Sequence, residues 1–145
     1  MKRNLLFMAL LLSSIAVISC MSGGKIVRTQ SVAKPIGKWE LTKLNSTELP
    51  EASSNGKTAS LLLSDSTQKF TGNNGCNAFG GKVEFKGDSV KFDTQFSTKM
   101  LCLNSIDREF DSTLRVVNVW IVDNSKLILK KDKKILMEFK LNATK

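Results

Sequence analysis

Short runs of alternating apolar and polar residues follow one another along the chain from residue 37 onward. In Gly37–Leu44, Trp39 and Leu41 alternate with polar residues, which is typical of a strand with one buried face. The adjacent Gly80 and Gly81 fall inside a later run and indicate a bulge or the close approach of another segment. Further strands are predicted at 59–63, 69–71, 76–85, 90–92, 96–101, 116–122, 126–130 and 135–139, and a loop at 45–57.

One segment has the period of a helix. Its apolar residues are spaced four, four and three positions apart, at Ile106, Phe110, Leu114 and Val117. Asn104 or Ser105 is the expected N-cap, and acidic residues in the first turn favour the positive end of the helix dipole. The whole pattern predicts an α+β domain, mainly antiparallel β, with a curved or barrel-like sheet and one amphipathic helix packed on it or at its end.

The N-terminal residues have the pattern of a bacterial lipoprotein signal. Two basic residues precede an apolar run at 5–18, which is shorter than the ~20 residues needed to span a bilayer. A small residue then precedes Cys20, which we expect to become the acylated first residue of the mature chain. A plain signal peptide cut elsewhere is the alternative. The expected organisation is a signal peptide at 1–19, a flexible tether at 20–35 and a folded domain at 36–145.

Acylation of Cys20 would make the lipid bilayer a partner of this protein. We therefore expect a location in the cell envelope, lipid-anchored in the outer membrane and facing the periplasm. Removal of residues 1–19 lowers the formal charge from +9 to +7, because two basic residues leave with the signal. The lysine cluster at 130–134 indicates a solvated hairpin tip, and attraction of the basic excess to anionic lipid headgroups or polyanions is the alternative. No nucleic-acid partner is expected at this location, and the identity of an envelope protein or ligand stays open.

The chain contains no histidine and no tyrosine. This composition excludes Ser-His-Asp and Cys-His nucleophilic sites and the common zinc sites. Asp107 and Asp111 lie four positions apart on the predicted helix, but without a third ligand we expect them to face solvent and not to hold a cation. We therefore expect a non-enzymatic domain without a catalytic residue, a metal or a cofactor.

The three cysteines divide into one at the predicted lipidation position and a pair, Cys76 and Cys102. Because disulfides form and persist in exported domains, we expect this pair to be bridged. Such a bridge would stabilise the domain by about 3 to 4 kcal/mol in the chain-entropy description. The alternatives are a reactive thiol or two buried free cysteines.

Three short motifs resemble those of the META domain family, which includes HslJ-like proteins. The first motif is G-x-W-x-L at Gly37, Trp39 and Leu41. The second motif is G-C-N-x-[FY]-x-G at Gly75, Cys76, Asn77, Phe79 and Gly81. The third motif is T-[RK]-M-x-C at Thr98, Lys99, Met100 and Cys102, and the predicted helix follows it. Val83 departs from the family pattern, which usually has an aromatic residue at this position.

The resemblance implies a mainly antiparallel β domain over residues 37–140 with a helix near its C-terminal third. It also implies that Cys76 and Cys102 are family positions and not incidental thiols. For function, it implies an association with the bacterial envelope and with stress responses, but no defined biochemical activity.

Three functions are compatible with these patterns. The leading hypothesis is a membrane-anchored envelope domain that binds a partner or supports stress tolerance. The second is a small-molecule or peptide-binding module of the periplasm that uses the concave face of the sheet near residues 73–79. The amides of that turn can instead be structural, since Asn and Gly tolerate positive φ. The third is a thiol-redox protein that uses Cys76 and Cys102, with Lys99 or the helix N-terminus lowering a thiol pKa.

Overall fold

The computed structural model describes residues 33–49, 57–103 and 105–142. The predicted signal peptide, Cys20, most of the predicted tether and the candidate cap Asn104 lie outside these ranges. The described residues form nine strands and one helix: β1 Gly37–Leu44, β2 Thr47–Glu48, β3 Ser60–Ser64, β4 Lys69–Asn73, β5 Ala78–Lys86, β6 Ser89–Ser97, α1 Asp107–Val116, β7 Val119–Asp123, β8 Lys126–Lys131 and β9 Lys134–Leu141. None of the helical residues in these ranges is part of a segment long and apolar enough to cross a membrane.

The strands form one antiparallel sheet that curves back on itself. Their order is β2-β1-β3-β4-β5-β6-β7-β8-β9, and β1 also pairs with β9, so that the sheet is ring-like. Every pair of neighbouring strands in the described residues is antiparallel. The predicted α+β fold with a curved sheet and one helix is therefore confirmed.

The interior of the ring is filled by the apolar residues that alternate along the strands. Phe70 is buried there, with edge-to-face ring contacts to Phe79 at 5.7 Å and to Phe92 at 5.2 Å between centroids. Both tryptophans are buried, and each indole N–H has a main-chain acceptor. Trp39 donates to the Pro35 carbonyl at 2.8 Å, and Trp120 donates to the carbonyl of Gly87 at 3.1 Å.

The ring closes differently at two junctions. At the β1–β9 junction, pairing runs from Trp39 opposite Leu141 to Leu44 opposite Met137. At the β6–β7 junction, the described residues form a single pair, Ser89 opposite Val119. Helix α1 connects these two strands and contacts β6. We call the β6–β7 junction the open junction and the β1–β9 junction the closed junction.

Helix α1 has the predicted amphipathic pattern. Phe110 and Leu114 are buried in the core, and Thr113 is a buried polar residue that the apolar period did not include. Phe110 makes an edge-to-face contact with Phe79 at 5.4 Å between ring centroids. The N-cap position is Ile106, which offers no side-chain acceptor, while the Ser105 hydroxyl accepts from the Asp107 N–H at 3.1 Å.

Two sequence predictions about elements are wrong. The predicted strands at 90–92 and 96–101 are instead one strand, β6, which ends at Ser97. Residues 98–100 are irregular because side chains, and not a neighbouring strand, supply most of their hydrogen bonds. The predicted loop at 45–57 contains the two-residue strand β2, which pairs with the end of β1. The predicted bulge is confirmed, since the β5–β6 register shifts between Gly80 and Gly81.

Candidate functional site

The second motif begins in a tight turn between β4 and β5. Gly75 has φ +94°, a conformation that residues with a Cβ rarely adopt. Asn73 Oδ1 accepts from the Gly75 N–H at 2.8 Å, and Asn74 Oδ1 accepts from the N–H groups of Cys76 at 3.1 Å and Asn77 at 2.7 Å. The side-chain acceptors of the two asparagines thus hold the turn together.

Asn74 also connects this turn to the helix. Its side chain is buried, and its Nδ2 donates to Asp111 Oδ1 at 3.0 Å. On another side of α1, Asn45 Nδ2 donates to Glu109 Oε1 at 2.9 Å and approaches Thr113 Oγ1 at 3.3 Å. Amides from two different turns therefore fix α1, and the prediction that Asp111 only faces solvent is wrong because Asn74 binds its carboxylate.

Asn77 brings the second and third motifs together. Its Oδ1 accepts from the Thr98 hydroxyl at 2.9 Å and from the Met100 N–H at 2.6 Å, and its Nδ2 donates to the Met100 carbonyl at 3.3 Å. The Thr98 hydroxyl in turn accepts from the Ala78 N–H at 3.2 Å. A buried amide that satisfies both main-chain groups of one residue replaces the pairing that a strand would supply.

The cysteine pair joins the same two motifs covalently. Cys76 and Cys102 form a disulfide with a Cα–Cα separation of 5.9 Å and a sequence separation of 26. Cys76 is fully buried, and Cys102 is half-buried. Of the alternatives that the sequence left open, the structure has the bridge.

The first motif does not join this site. Gly37, Trp39 and Leu41 belong to β1, whose neighbours in the described sheet are β2, β3 and β9. Trp39 and Leu41 are core residues. In the second motif, Phe79 is also in the core, and Gly81 leaves no room for a side chain because an added Cβ would meet the Asp93 main chain. Val83 is buried opposite Phe92.

The loop at residues 98–103 projects apolar side chains into solvent. Met100 is 52% exposed, Leu101 is 90% exposed and Leu103 is 82% exposed, and Phe96 at the end of β6 is 55% exposed. Lys99 is exposed as well. We call Met100, Leu101 and Leu103 the apolar loop. The exposure of this loop was not predicted, because Met100 and Leu101 were assigned to a strand at 96–101. Three apolar residues beside a cysteine and ahead of a helix start were the available signal.

The described residues contain no group of three or more acidic or cysteine side chains arranged to hold a metal ion. Their buried side-chain nitrogen and oxygen atoms all have hydrogen-bond partners. The polar groups of the motifs are therefore engaged within the fold, and the exposed chemistry of this region is mainly apolar.

Three solved structures show the fold. A protein from Burkholderia xenovorans, solved by NMR, aligns with a TM-score of 0.61 at 22% identity, over 74% of this chain and 83% of that one. A second NMR structure aligns with a TM-score of 0.57 at 19% identity, over 72% and 88%. A crystal structure of a DUF4847 family protein from Bacteroides vulgatus aligns with a TM-score of 0.52 at 18% identity, over 75% and 94%.

No curated protein matches the chain at a significant level. The META domain, however, matches residues 33–144, which include all three motifs and every strand described above. The match covers far more than half of the sequence, and the chain belongs to the META domain family.

Proposed function

We propose that this protein is a non-enzymatic, lipid-anchored domain of the cell envelope that binds a partner protein through the apolar loop. The observation that carries the proposal is a contrast within one site. The side chains of Asn74, Asn77 and Thr98 are engaged in internal hydrogen bonds, whereas Leu101 and Leu103, in the loop that they hold, stay exposed. Rigidly held, exposed apolar residues are a feature of protein contact surfaces.

The disulfide supports a structural role for the two motif cysteines. Because Cys76 is buried and bridged, it offers no thiolate for attack on a substrate. The absence of histidine from the sequence supports the same proposal, since the nucleophilic sites that use imidazole are excluded. Reproducible turnover of a substrate that a point substitution in the domain abolishes would contradict the non-enzymatic function.

The lipid anchor is tested separately from partner binding. In a Cys20→Ala variant we expect an unprocessed chain or one that high salt and mild washing release from the membrane fraction, because acylation supplies the stable attachment. Radiolabelled palmitate incorporated by the wild type and absent from Cys20→Ala gives the direct readout. If the variant is processed and membrane-bound as before, the lipoprotein assignment is wrong.

Partner binding is tested by photo-crosslinking in the intact envelope. A benzophenone amino acid at Leu101 is expected to give an adduct of discrete mass, and the same group at Leu62 is not. Leu62 is a matched control, since it is an exposed leucine on β3, at 50% exposure, away from the loop. Adducts at Leu62 equal to those at Leu101, or none at Met100, Leu101 and Leu103, would contradict the assignment of the apolar loop.

A further inference from the structure

One edge of β6 lacks a neighbouring strand over most of its length. On one side, β6 pairs with β5 from Ser89 to Ser97. On the other side, among the described residues, it pairs with β7 only at Ser89, after which the two strands separate. An exposed strand edge carries main-chain donors and acceptors that another extended chain can pair with.

The hydrogen bonds on either side show which residues point to this edge. The Val90 N–H donates outward to the Asn118 carbonyl at 3.1 Å, across the open junction. Because main-chain groups alternate along a strand, Phe92 and Thr94 present their N–H and C=O groups to the same edge. On the other side, the Val83 N–H donates to the Gln68 carbonyl at 2.9 Å, away from β6. The Val83–Phe92 pair is therefore not hydrogen-bonded. This second observation also indicates that the main-chain groups of Phe92 face the open edge.

A groove lies beside the edge. It has a volume of about 380 Å³ and is lined by residues 92–97 of β6, which include the exposed Asp93 carboxylate, and by Arg115 from the last turn of α1. Arg115 is exposed, and no carboxylate of the described chain lies within salt-bridge distance of it. The chain segment that contains the apolar loop links the end of β6 to the start of α1, so that the loop lies toward one end of the groove. We call this feature the edge groove.

We propose that the edge groove binds an extended, carboxylate-bearing polypeptide segment of the partner, which adds to β6 as a further strand. The inference rests on the proposed function, because it specifies the chemistry of the partner. Phe92 and Thr94 supply main-chain hydrogen bonds, which suit an extended chain, and Arg115 supplies a planar guanidinium, which suits a carboxylate. The formal charge of +7 that remains after removal of residues 1–19 also favours an acidic segment.

A second copy of this chain fits the edge groove less well. The bulge in the β5–β6 ladder places an extra β6 residue, Gln95, between the partners of Gly81 and Gly80. Bulges twist an edge and oppose the flat pairing of two identical edges. Two copies would also bring two Arg115 side chains to the same junction, where like charges repel.

The experiment selects ligands from a phage-displayed library of random dodecapeptides, with the mature lipidated protein in detergent as the target. We expect enriched sequences to contain Asp, Glu or a free C-terminal carboxylate. In a complex with a synthetic selected peptide, hydrogen exchange at the Phe92 and Thr94 amides is expected to slow. Exchange at Lys91 and Asp93, which already face β5, is the internal control and is expected to stay unchanged.

Two variants of the protein test the two contacts. Thr94→Pro removes an edge N–H and is expected to weaken peptide binding by at least ~10-fold, whereas the matched control Thr94→Val keeps the N–H and binds as the wild type. Arg115→Gln is expected to weaken binding by ~10-fold or more, and Arg108→Gln, also on the exposed side of α1, is not. Should Thr94→Pro fail to fold, peptides that are N-methylated at alternate residues test strand addition with the wild-type protein. Methylation of the residues whose N–H groups face β6 is expected to abolish binding, and methylation of the other residues is expected to leave it intact.

The outcomes separate this inference from the proposed function. No enriched peptide, equal binding by Thr94→Pro and Thr94→Val, or exchange protection confined to residues 100–103 would overturn strand addition. Concentration-dependent dimerisation that protects Phe92 and Thr94 without a peptide would assign the edge to a second copy and overturn it as well. A crosslinked partner at Leu101 that survives Thr94→Pro would leave the partner-binding function standing without the added strand.

Discussion

The closed and open junctions hold the same sheet together by different means. At the closed junction, β1 and β9 pair along much of their length, and the main chain supplies the hydrogen bonds. At the open junction, β6 and β7 separate after Ser89, and α1, which connects them, contacts β6 and buries Phe110 and Leu114 in the core. Main-chain bonds join the two strands only near Ser89, and the side chains of Asn74 and Asn77 hold α1 and the loop that follows β6.

This difference explains where two of the family motifs lie. A main-chain ladder needs no particular residue types, and the closed junction contains only the apolar positions of the first motif. An irregular loop and a helix that connect two separated strands need specific amides, a glycine with positive φ and a covalent bridge. Gly75, Cys76 and Asn77 of the second motif, with Thr98 and Cys102 of the third, therefore hold the irregular loop that leads from β6 to α1.

The largest loss of stability at the open junction is expected from Phe110→Ala. Phe110 is fully buried between α1 and the core, so its truncation is expected to lower the free energy of unfolding by about 3 to 5 kcal/mol. Phe139→Ala at the closed junction has a similar cost, but only Phe110→Ala is expected to accelerate hydrogen exchange at Met100. Urea unfolding and amide exchange give the two readouts. Equal exchange at Met100 in both variants would contradict the role of α1 in holding the loop that follows β6.

Removal of the disulfide is expected to have the next largest effect. The double variant Cys76→Ala/Cys102→Ala is expected to lose about 3 to 4 kcal/mol of stability, because the unfolded chain regains the freedom of a closed loop. Guanidinium unfolding under oxidising conditions measures the loss. As a control, the reduced wild type is expected to unfold close to the double variant. If the double variant is as stable as the oxidised wild type, the disulfide does not stabilise this junction.

A smaller difference is expected between two side-chain hydrogen bonds, one at each junction. Asn77→Ala leaves main-chain groups of Met100 without partners and is expected to destabilise the protein by about 1 to 3 kcal/mol. Thr42→Val removes the hydroxyl that donates to the Glu138 carbonyl at 3.0 Å, where the neighbouring main chain is paired, and is expected to cost about 1 kcal/mol or less. Equilibrium unfolding compares them, and the reverse order would contradict the account above.

The smallest effect is expected from Lys43→Gln near the closed junction. The hydrogen bond to Glu48 and the charge of Glu138 raise the pKa of Lys43 above its ordinary value. A raised pKa adds stability that is present in full below the ordinary lysine pKa of about 10.4 and is lost as the pH rises through the folded-state pKa. The variant is therefore slightly less stable than the wild type at pH 7, and the two converge at alkaline pH. Unfolding curves from pH 7 to 11 test this expectation. A difference in stability between the two proteins that widens as the pH rises would contradict it.

Much of the fold could be predicted, because strand and helix periods are local. The period of two in β1 and the spacing of Phe110 and Leu114 follow from which face of each element is buried. The end of β6 could not be predicted in this way. Apolar residues continue past Ser97 with strand-like composition, but the Asn77 side chain, distant in sequence, takes the main chain of Met100 out of the ladder.

The site was predicted in part. Cys76, Asn77, Thr98 and Cys102 were identified as motif positions, and the structure brings them together. The hydrogen bond from Asn74 to Asp111 was not predicted, because a carboxylate on the polar side of a predicted helix is expected to face solvent when no metal site is indicated. The exposure of Leu101 was not predicted either, because an apolar residue within a predicted strand is expected to be buried.

The sequence by itself determined most of the element types and buried faces, the cysteine positions and the three motifs, because each depends on neighbouring residues or on residue identity. Only the tertiary structure decided that β1 pairs with β9, that β6 separates from β7, and that Phe92 and Thr94 face an open edge. These features depend on strand register and on contacts between distant segments. A strand has the same alternating pattern of apolar and polar residues whether or not a neighbouring strand pairs with its edge. That pattern therefore cannot show which edge is unpaired.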